Sequence, residues 1–135
     1  MYSYRSMDNS SSYHAFTYGD GRDSGVCLAA ASCMHLMPPV VMEFPGITVG
    51  GGFAGTGAET SSFRHGLFEQ TVTVIDIVLA NGEAVHASRS EREDLFYGSG
   101  SSFGTTGVIT LLEIQLVKAT EYVRIRKMGF DTFAP

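Results

Sequence analysis

Gly50, Gly52 and Gly55 satisfy G-x-G-x-x-G, the spacing at which dinucleotide sites bring bare backbone amides up to a diphosphate. Asp76 lies about twenty residues further on, near where a ribose-binding carboxylate would stand. The surroundings argue against that fold. Pro45-Gly46 interrupts the approaching strand and leaves only Ile47-Thr48-Val49. The helix that would have to follow, Ala54 to Arg64, holds Gly55, Gly57, Thr60, Ser61 and Ser62, which are poor helix formers. No Gly-Lys-Ser/Thr follows, so a Walker loop is excluded. What remains is the chemistry of the segment itself. Consecutive glycine amides can form an anion-binding concavity, and Thr48, Thr56, Thr60, Ser61 and Ser62 add hydroxyls for a ribose or the polar edge of a ring. The competing reading is a tight turn packed against other backbone, and spacing alone does not separate the two.

Single residues offer less. His65 adjoins the glycine-rich segment and reads first as a loop histidine bonding local backbone. His86 reads as an exposed polar position, and Asp76 as a satisfied polar group within a sheet rather than a base. Glu59 either bonds a ribose hydroxyl or caps the turn. Ser102 lacks the G-x-S-x-G frame of a nucleophile elbow. No residue is assigned as a catalytic acid or base, and the catalytic residues stay unknown. Cys27 and Cys33 have only His35 near them, too few ligands for zinc.

The elements that must position these groups follow from periodicity. VCLAAASCMHLM, residues 26–37, predicts a short helix ended by Pro38. Residues 40–44 predict a short strand stopped by Pro45-Gly46. Thr71 to Ala80 is β-branched and apolar on both faces, as a strand covered on both sides would be. Asn81-Gly82 predicts a type I′ hairpin with positive φ at both residues. The returning strand, Glu83 to Ala87, turns Val85 and Ala87 to one face. Ser90 and Glu93 fit a capping box that opens a helix through Leu95 and Phe96 and stops at Gly98. Val108 to Val117 alternates Leu112, Ile114 and Leu116 against Glu113 and Gln115. Tyr122 to Arg126 alternates again, Val123 and Ile125 inward. The fold class is α+β: an antiparallel sheet with flanking helices.

Composition bounds the rest. The protein has 135 residues, enough for one domain of ordinary size. Its net charge of −5 leaves no basic stripe for phosphate contacts, so no nucleic-acid partner is expected. Ser24 to Met42 is uncharged, but Pro38-Pro39 and several polar residues break it as a membrane span. Residues 1–25 hold few aliphatics and are expected to be loose. Glycine makes up 16 residues, well above the usual share of roughly 7%. Seven lie between Gly46 and Gly66, and four between Gly98 and Gly107.

Residues 45–68, PGITVGGGFAGTGAETSSFRHGLF, resemble the second flavin-binding segment of the FAD-linked oxidases, the vanillyl-alcohol oxidase or PCMH type. The likeness continues through Val78-Leu79-Ala80-Asn81-Gly82, Asp94-Leu95-Phe96-Tyr97 and Phe103-Gly104-Thr105-Thr106-Gly107-Val108-Ile109-Thr110. Within that superfamily it is greatest to the sterol Δ24-reductases, the diminuto-like group. The resemblance implies one subdomain of a PCMH-type FAD-binding domain. It assigns FAD to Thr48, Val49, Gly50, Gly51, Gly52, Phe53, Ala54, Gly55, Thr56, Gly57, Ala58, Glu59, Thr60, Ser61 and Ser62, with Gly107, Val108 and Ile109 on the other side. In it the amides of Gly50, Gly51 and Gly52 lie near the diphosphate, and Ser61 and Ser62 near the flavin. The implied reaction reduces a C=C bond in the tail of a sterol through FAD, with NADPH as hydride donor. An FAD-linked oxidase of an alcohol or hydroxy acid is the alternative within the class, and a truncated non-catalytic remnant the alternative outside it.

The pattern also departs from the family. The upstream glycine-rich loop of such a domain is not recognisable in residues 1–34, and neither the substrate-covering domain nor the N-terminal membrane anchor of the sterol enzymes is seen. The expectation is therefore a fragment, inactive alone: a leader at 1–34, a partial FAD-binding domain at 35–130 and a tail at 131–135. Membrane association, at the endoplasmic reticulum in the full-length relatives, is implied only through segments not found here.

Overall fold

A computed structural model describes residues 4–6, 13–18, 35–44, 46–122, 124, 126 and 129. The elements run β1 (Tyr4–Ser6), β2 (Tyr13–Tyr18), β3 (Leu36–Met37), α1 (Val49–Ala54), α2 (Ser62–His65), a 3-10 turn (Phe68–Thr71), β4 (Val72–Val78), β5 (Ala84–Ser88), α3 (Glu93–Ser99) and β6 (Val108–Lys118). The strands form one sheet in the order β1-β2-β6-β4-β5, with β3 also on β6, and every pair is antiparallel. The α+β expectation is met.

β6 is the axis of the sheet because its long alternating run can pair on both edges. It takes β2 on one side (Ala15 opposite Ile114) and β4 on the other (Ile75 opposite Leu112). Leu112, Ile114 and Leu116 are buried, while Gln115 is exposed. Ile75, Ile77, Val85 and Ala87 bury the same sheet face against Val49 and Phe53 of α1, Phe68 and Phe96. β4 is thus covered fully on one face only. Asp76 and Val78, pointing the other way, are half-buried. The β-branched run reads as two-sided because Val74 and Val78 are as apolar as the core residues.

Several local expectations are corrected. The hairpin loop has three residues, Ala80 to Gly82. Leu79 N–H donates to the Glu83 carbonyl and Gly82 N–H to the Leu79 carbonyl, both at 2.9 Å. Of the two residues expected at positive φ, only Gly82 (φ +82°) adopts it, the pattern of a type I turn closed by a glycine bulge. Asn81 instead receives the Glu83 N–H on Oδ1 at 3.0 Å. A Cβ on Gly82 would meet nothing within 4 Å, so its cost is conformational alone. Gly82→Ala is expected to lose about 1 kcal/mol in chemical denaturation, and Gly82→Asn less.

No capping box starts α3. Its N-cap is Arg92 in the left-handed region (φ 49°, ψ 51°), and the Arg92 side chain makes no capping hydrogen bond. The Ser88 hydroxyl accepts from Glu91 N–H at 3.2 Å, which shapes the bend that delays the helix and aims Phe96 into the core. The helix also runs past Gly98 to Ser99.

Leu36–Met37, expected to end a helix, is strand β3. The remainder of that helix, residues 26–34, lies outside the described residues. Residues 40–44 form no strand, although Val40 and Met42 are buried. Phe44, which a strand would turn to the same face as Val40 and Met42, is 67% exposed, and Pro39 just before the run carries no N–H for a ladder. Two stretches of the segment expected to be loose are β1 and β2. Val123 and Ile125 of the last expected strand lie outside the described residues, and Tyr122, Arg124 and Arg126 are in no strand.

Candidate functional site

The glycine-rich segment opens on Thr48, whose extended backbone and Oγ1 accepting from Gly51 N–H at 2.9 Å make it the N-cap of α1. Three consecutive glycines each cost a helix about 1 kcal/mol, so propensity opposes this element. Val49 and Phe53, one turn apart and almost wholly buried, supply what the glycines lack. The run is therefore a short helix and not an open loop.

The helix takes up part of the amides that an anion-binding concavity would use. Gly51 N–H is held by Thr48 Oγ1, and Gly52 N–H by the Thr48 carbonyl at 2.9 Å. The amides of Val49 and Gly50 have no hydrogen-bond partner among the described residues.

The glycines sort into two kinds. A Cβ on Gly52 would strike the Met42 thioether at 2.7–2.9 Å, one on Gly55 the Gly51 carbonyl at 2.7 Å, and one on Gly57 the Phe68 Cβ at 3.1 Å. Gly55 and Gly57 lie against backbone of the same segment, the Gly51 and Gly52 carbonyls, whereas Gly52 faces the Met42 and Phe68 side chains. A Cβ on Gly50 would meet nothing within 4 Å. Internal packing gives no reason for glycine there.

The C-terminal end of α1 is tied to the second glycine cluster. Ser101 N–H donates to the Phe53 carbonyl at 3.0 Å and Phe103 N–H to the Ala54 carbonyl at 2.8 Å. Thr56, Ser101 and Phe103 lie at φ between 51° and 61°, unusual for any residue but glycine, and all three border this junction. Within the loop the Thr105 hydroxyl donates to the Ser102 carbonyl at 2.8 Å, and the Ser102 and Thr106 hydroxyls are 3.3 Å apart. After Gly107, Val108 is exposed and pairs with Val78, while Ile109 pairs with Ile77 and packs on the core that α1 covers.

The structure therefore joins Thr48–Gly57 to Gly100–Ile109. Sequence reasoning marks both glycine clusters but misses Ser101 and Phe103, the residues that tie them. No residue-type signal marks a backbone amide as a tether.

The other candidates divide. Glu59 ties two segments: its Oε1 accepts from the N–H of Glu43 in the preceding segment, and its own N–H donates to the Ser62 hydroxyl, each at 2.9 Å. Ala58 and Thr60 flank it in sequence, and Ser61 caps α2 through its carbonyl, which takes Arg64 and His65 N–H. His65 ends α2 and is half-buried. His86 Nδ1 stands 2.7 Å from Asp76 Oδ1, a cross-strand pair on β4 and β5. The two are 51% and 39% exposed and lie on the sheet face opposite α1. Both are polar and satisfied, and neither reaches the glycine-rich junction. No cluster of three or more potential metal ligands occurs among the described residues. No helix among them is long and apolar enough to cross a membrane.

No family model matches the sequence. The Δ24-sterol reductase of Arabidopsis thaliana is 46% identical over 93 residues, 68% of this protein and 17% of that one. Cytokinin dehydrogenase 4 of Oryza sativa subsp. japonica is 33% identical over 101 residues, 73% of this protein and 19% of that one. Among solved structures, 6-hydroxy-D-nicotine oxidase from Arthrobacter nicotinovorans superposes with a TM-score of 0.72 at 25% identity, covering 78% of this protein and 23% of that one. The matched region thus spans about a sixth of the length of the sterol reductase, 17%.

Proposed function

Because the chain belongs to the FAD-linked oxidase superfamily, a family of FAD-binding oxidoreductases, we propose that it forms part of a flavin site in a Δ24-sterol reductase-like enzyme. The observation that carries this reading is the junction of the two glycine clusters, made by Ser101 and Phe103 amides on the end of α1. Residues 35–130 are read as the partial FAD-binding domain. Thr48 to Ser62 form one wall of the site and Gly107, Val108 and Ile109 the other.

The residues fit such a group at one place above all. Gly50 has open space where a Cβ would stand, beside two amides without partners among the described residues. Backbone there can approach an anionic ligand closely. Thr48 keeps its hydroxyl proton to donate while its lone pair holds the helix cap.

Bound FAD would supply hydride transfer. The protein's own part is to bind and orient. The core under α1, centred on Phe53, keeps the wall rigid, and the Ser101–Phe103 tether fixes one cluster against the other. The reduction of a C=C bond in the tail of a sterol with NADPH is the finer proposal, supported by 46% identity to a protein named for that substrate class. An endoplasmic-reticulum setting goes with that proposal.

Titrating the purified protein with FAD, followed by flavin fluorescence and thermal shift, tests the site. Saturable binding with a raised Tm is expected. No binding up to millimolar FAD would refute it. Bleaching of the bound flavin by NADPH supports the reductase, whereas bleaching by an alcohol or hydroxy acid assigns the oxidase chemistry instead.

A further inference from the structure

We propose that the Phe103 ring is a stacking platform for a planar ring of the ligand held at the glycine-rich junction. The inference rests on the flavin reading and adds to it a residue that the resemblance does not assign.

Two costs coincide at this position. Phe103 sits at φ 51°, where the Cβ crowds the following carbonyl, and the residue is 78% exposed. Glycine would remove both. Gly104 beside it, at φ +77° with nothing near its absent Cβ, shows that the loop admits glycine. The backbone is pinned in this state, because Phe103 N–H donates to the Ala54 carbonyl and Ser101 N–H to the Phe53 carbonyl. The strained geometry therefore holds an aromatic residue outward at the end of α1, four residues before Gly107. A flat ring laid on it would cover the exposed surface and offset the strain. Isolated exposed hydrophobic residues are common on surfaces, but an anchored aromatic in a left-handed conformation is not.

Phe103 lies outside the buried core, so its variants keep the fold. Phe103→Ala and Phe103→Leu are expected to bind FAD about tenfold more weakly at unchanged Tm, the order one ring–ring stack supplies, while Phe103→Tyr binds like the wild type. Removal of the ring should also brighten the bound flavin if the isoalloxazine is the stacked partner. Titration with ADP and FMN identifies the ring: a loss confined to ADP assigns the adenine, and a loss confined to FMN the isoalloxazine. Wild-type affinity in Phe103→Leu overturns the stack while leaving the flavin site standing. A wild-type protein that binds none of FAD, ADP and FMN overturns both.

Discussion

Replacing Gly107 with alanine is expected to destabilise the protein by about 3 kcal/mol, a large part of the stability a domain of this size possesses. An alanine Cβ at this position would lie 2.5 Å from the Val78 carbonyl oxygen and 2.9–3.0 Å from two carbons of Ile77. The first contact is with backbone and cannot be relieved by a rotamer change. Val78 and Val108 are the last pair that joins β4 to β6, and Ile77 is fully buried. Either the end of β4 peels from the central strand or Ile77 leaves its place in the core. Gly98, from the same sequence cluster, provides the contrast. It lies in α3 with nothing within 4 Å of an added Cβ, so Gly98→Ala should gain about 0.5–1 kcal/mol. Chemical denaturation of both variants at an unchanged slope measures the difference. Equal stabilities would refute the packing argument. The resemblance gives Gly107 to the ligand, but the fold requires glycine there first.

The central strands are legible in the sequence because their signals are local and redundant. The β-branched run around Ile75 and the alternation of Leu112, Ile114 and Leu116 each repeat the same message over several residues. The pairing partner of β6 on its other edge is not legible. Tyr13–Tyr18 meets Leu111–Leu116 across nearly a hundred positions, and the polar residues around it read as loose polypeptide. Asn81-Gly82 reads as a two-residue turn, yet the same dipeptide serves a three-residue loop when only the glycine takes positive φ. In α1 the conflict is sharper. Every local rule opposes a helix in VGGGFA except the Thr48 cap, and the burial of Val49 and Phe53 overrides the rest. The candidate site is legible as two glycine clusters and as a family likeness. Which glycines answer to packing, and which to a ligand, depends on where the fold puts Met42, Phe68 and the Gly51 carbonyl.

That sorting fixes the second large effect: Gly50→Val should reduce FAD affinity at least about a hundredfold while leaving the fold as stable as before or more so. Gly51 is a less clean probe, because a Cβ there would approach Thr48 Oγ1 at 3.1 Å and disturb the cap itself. At Gly50 an added Cβ meets no protein atom within 4 Å, and any residue but proline is a better helix former than glycine. Stability and binding are thus expected to move in opposite directions, which a purely structural role for this glycine does not allow. The magnitude follows from position. A branched residue would fill the open space at Gly50 that a ligand on the neighbouring amides would use, and losing two charge-assisted bonds costs about 3 kcal/mol. Gly50→Ala should fall between, with a Tm above the wild type. His86→Ala supplies the matching control, since His86 and Asp76 lie on the opposite face of the sheet and binding should be unchanged. Isothermal titration of the three variants with FAD, beside thermal melts, decides the matter. Wild-type affinity in Gly50→Val would move any flavin site away from the start of α1, because a ligand seated on those amides has no room for the larger residue.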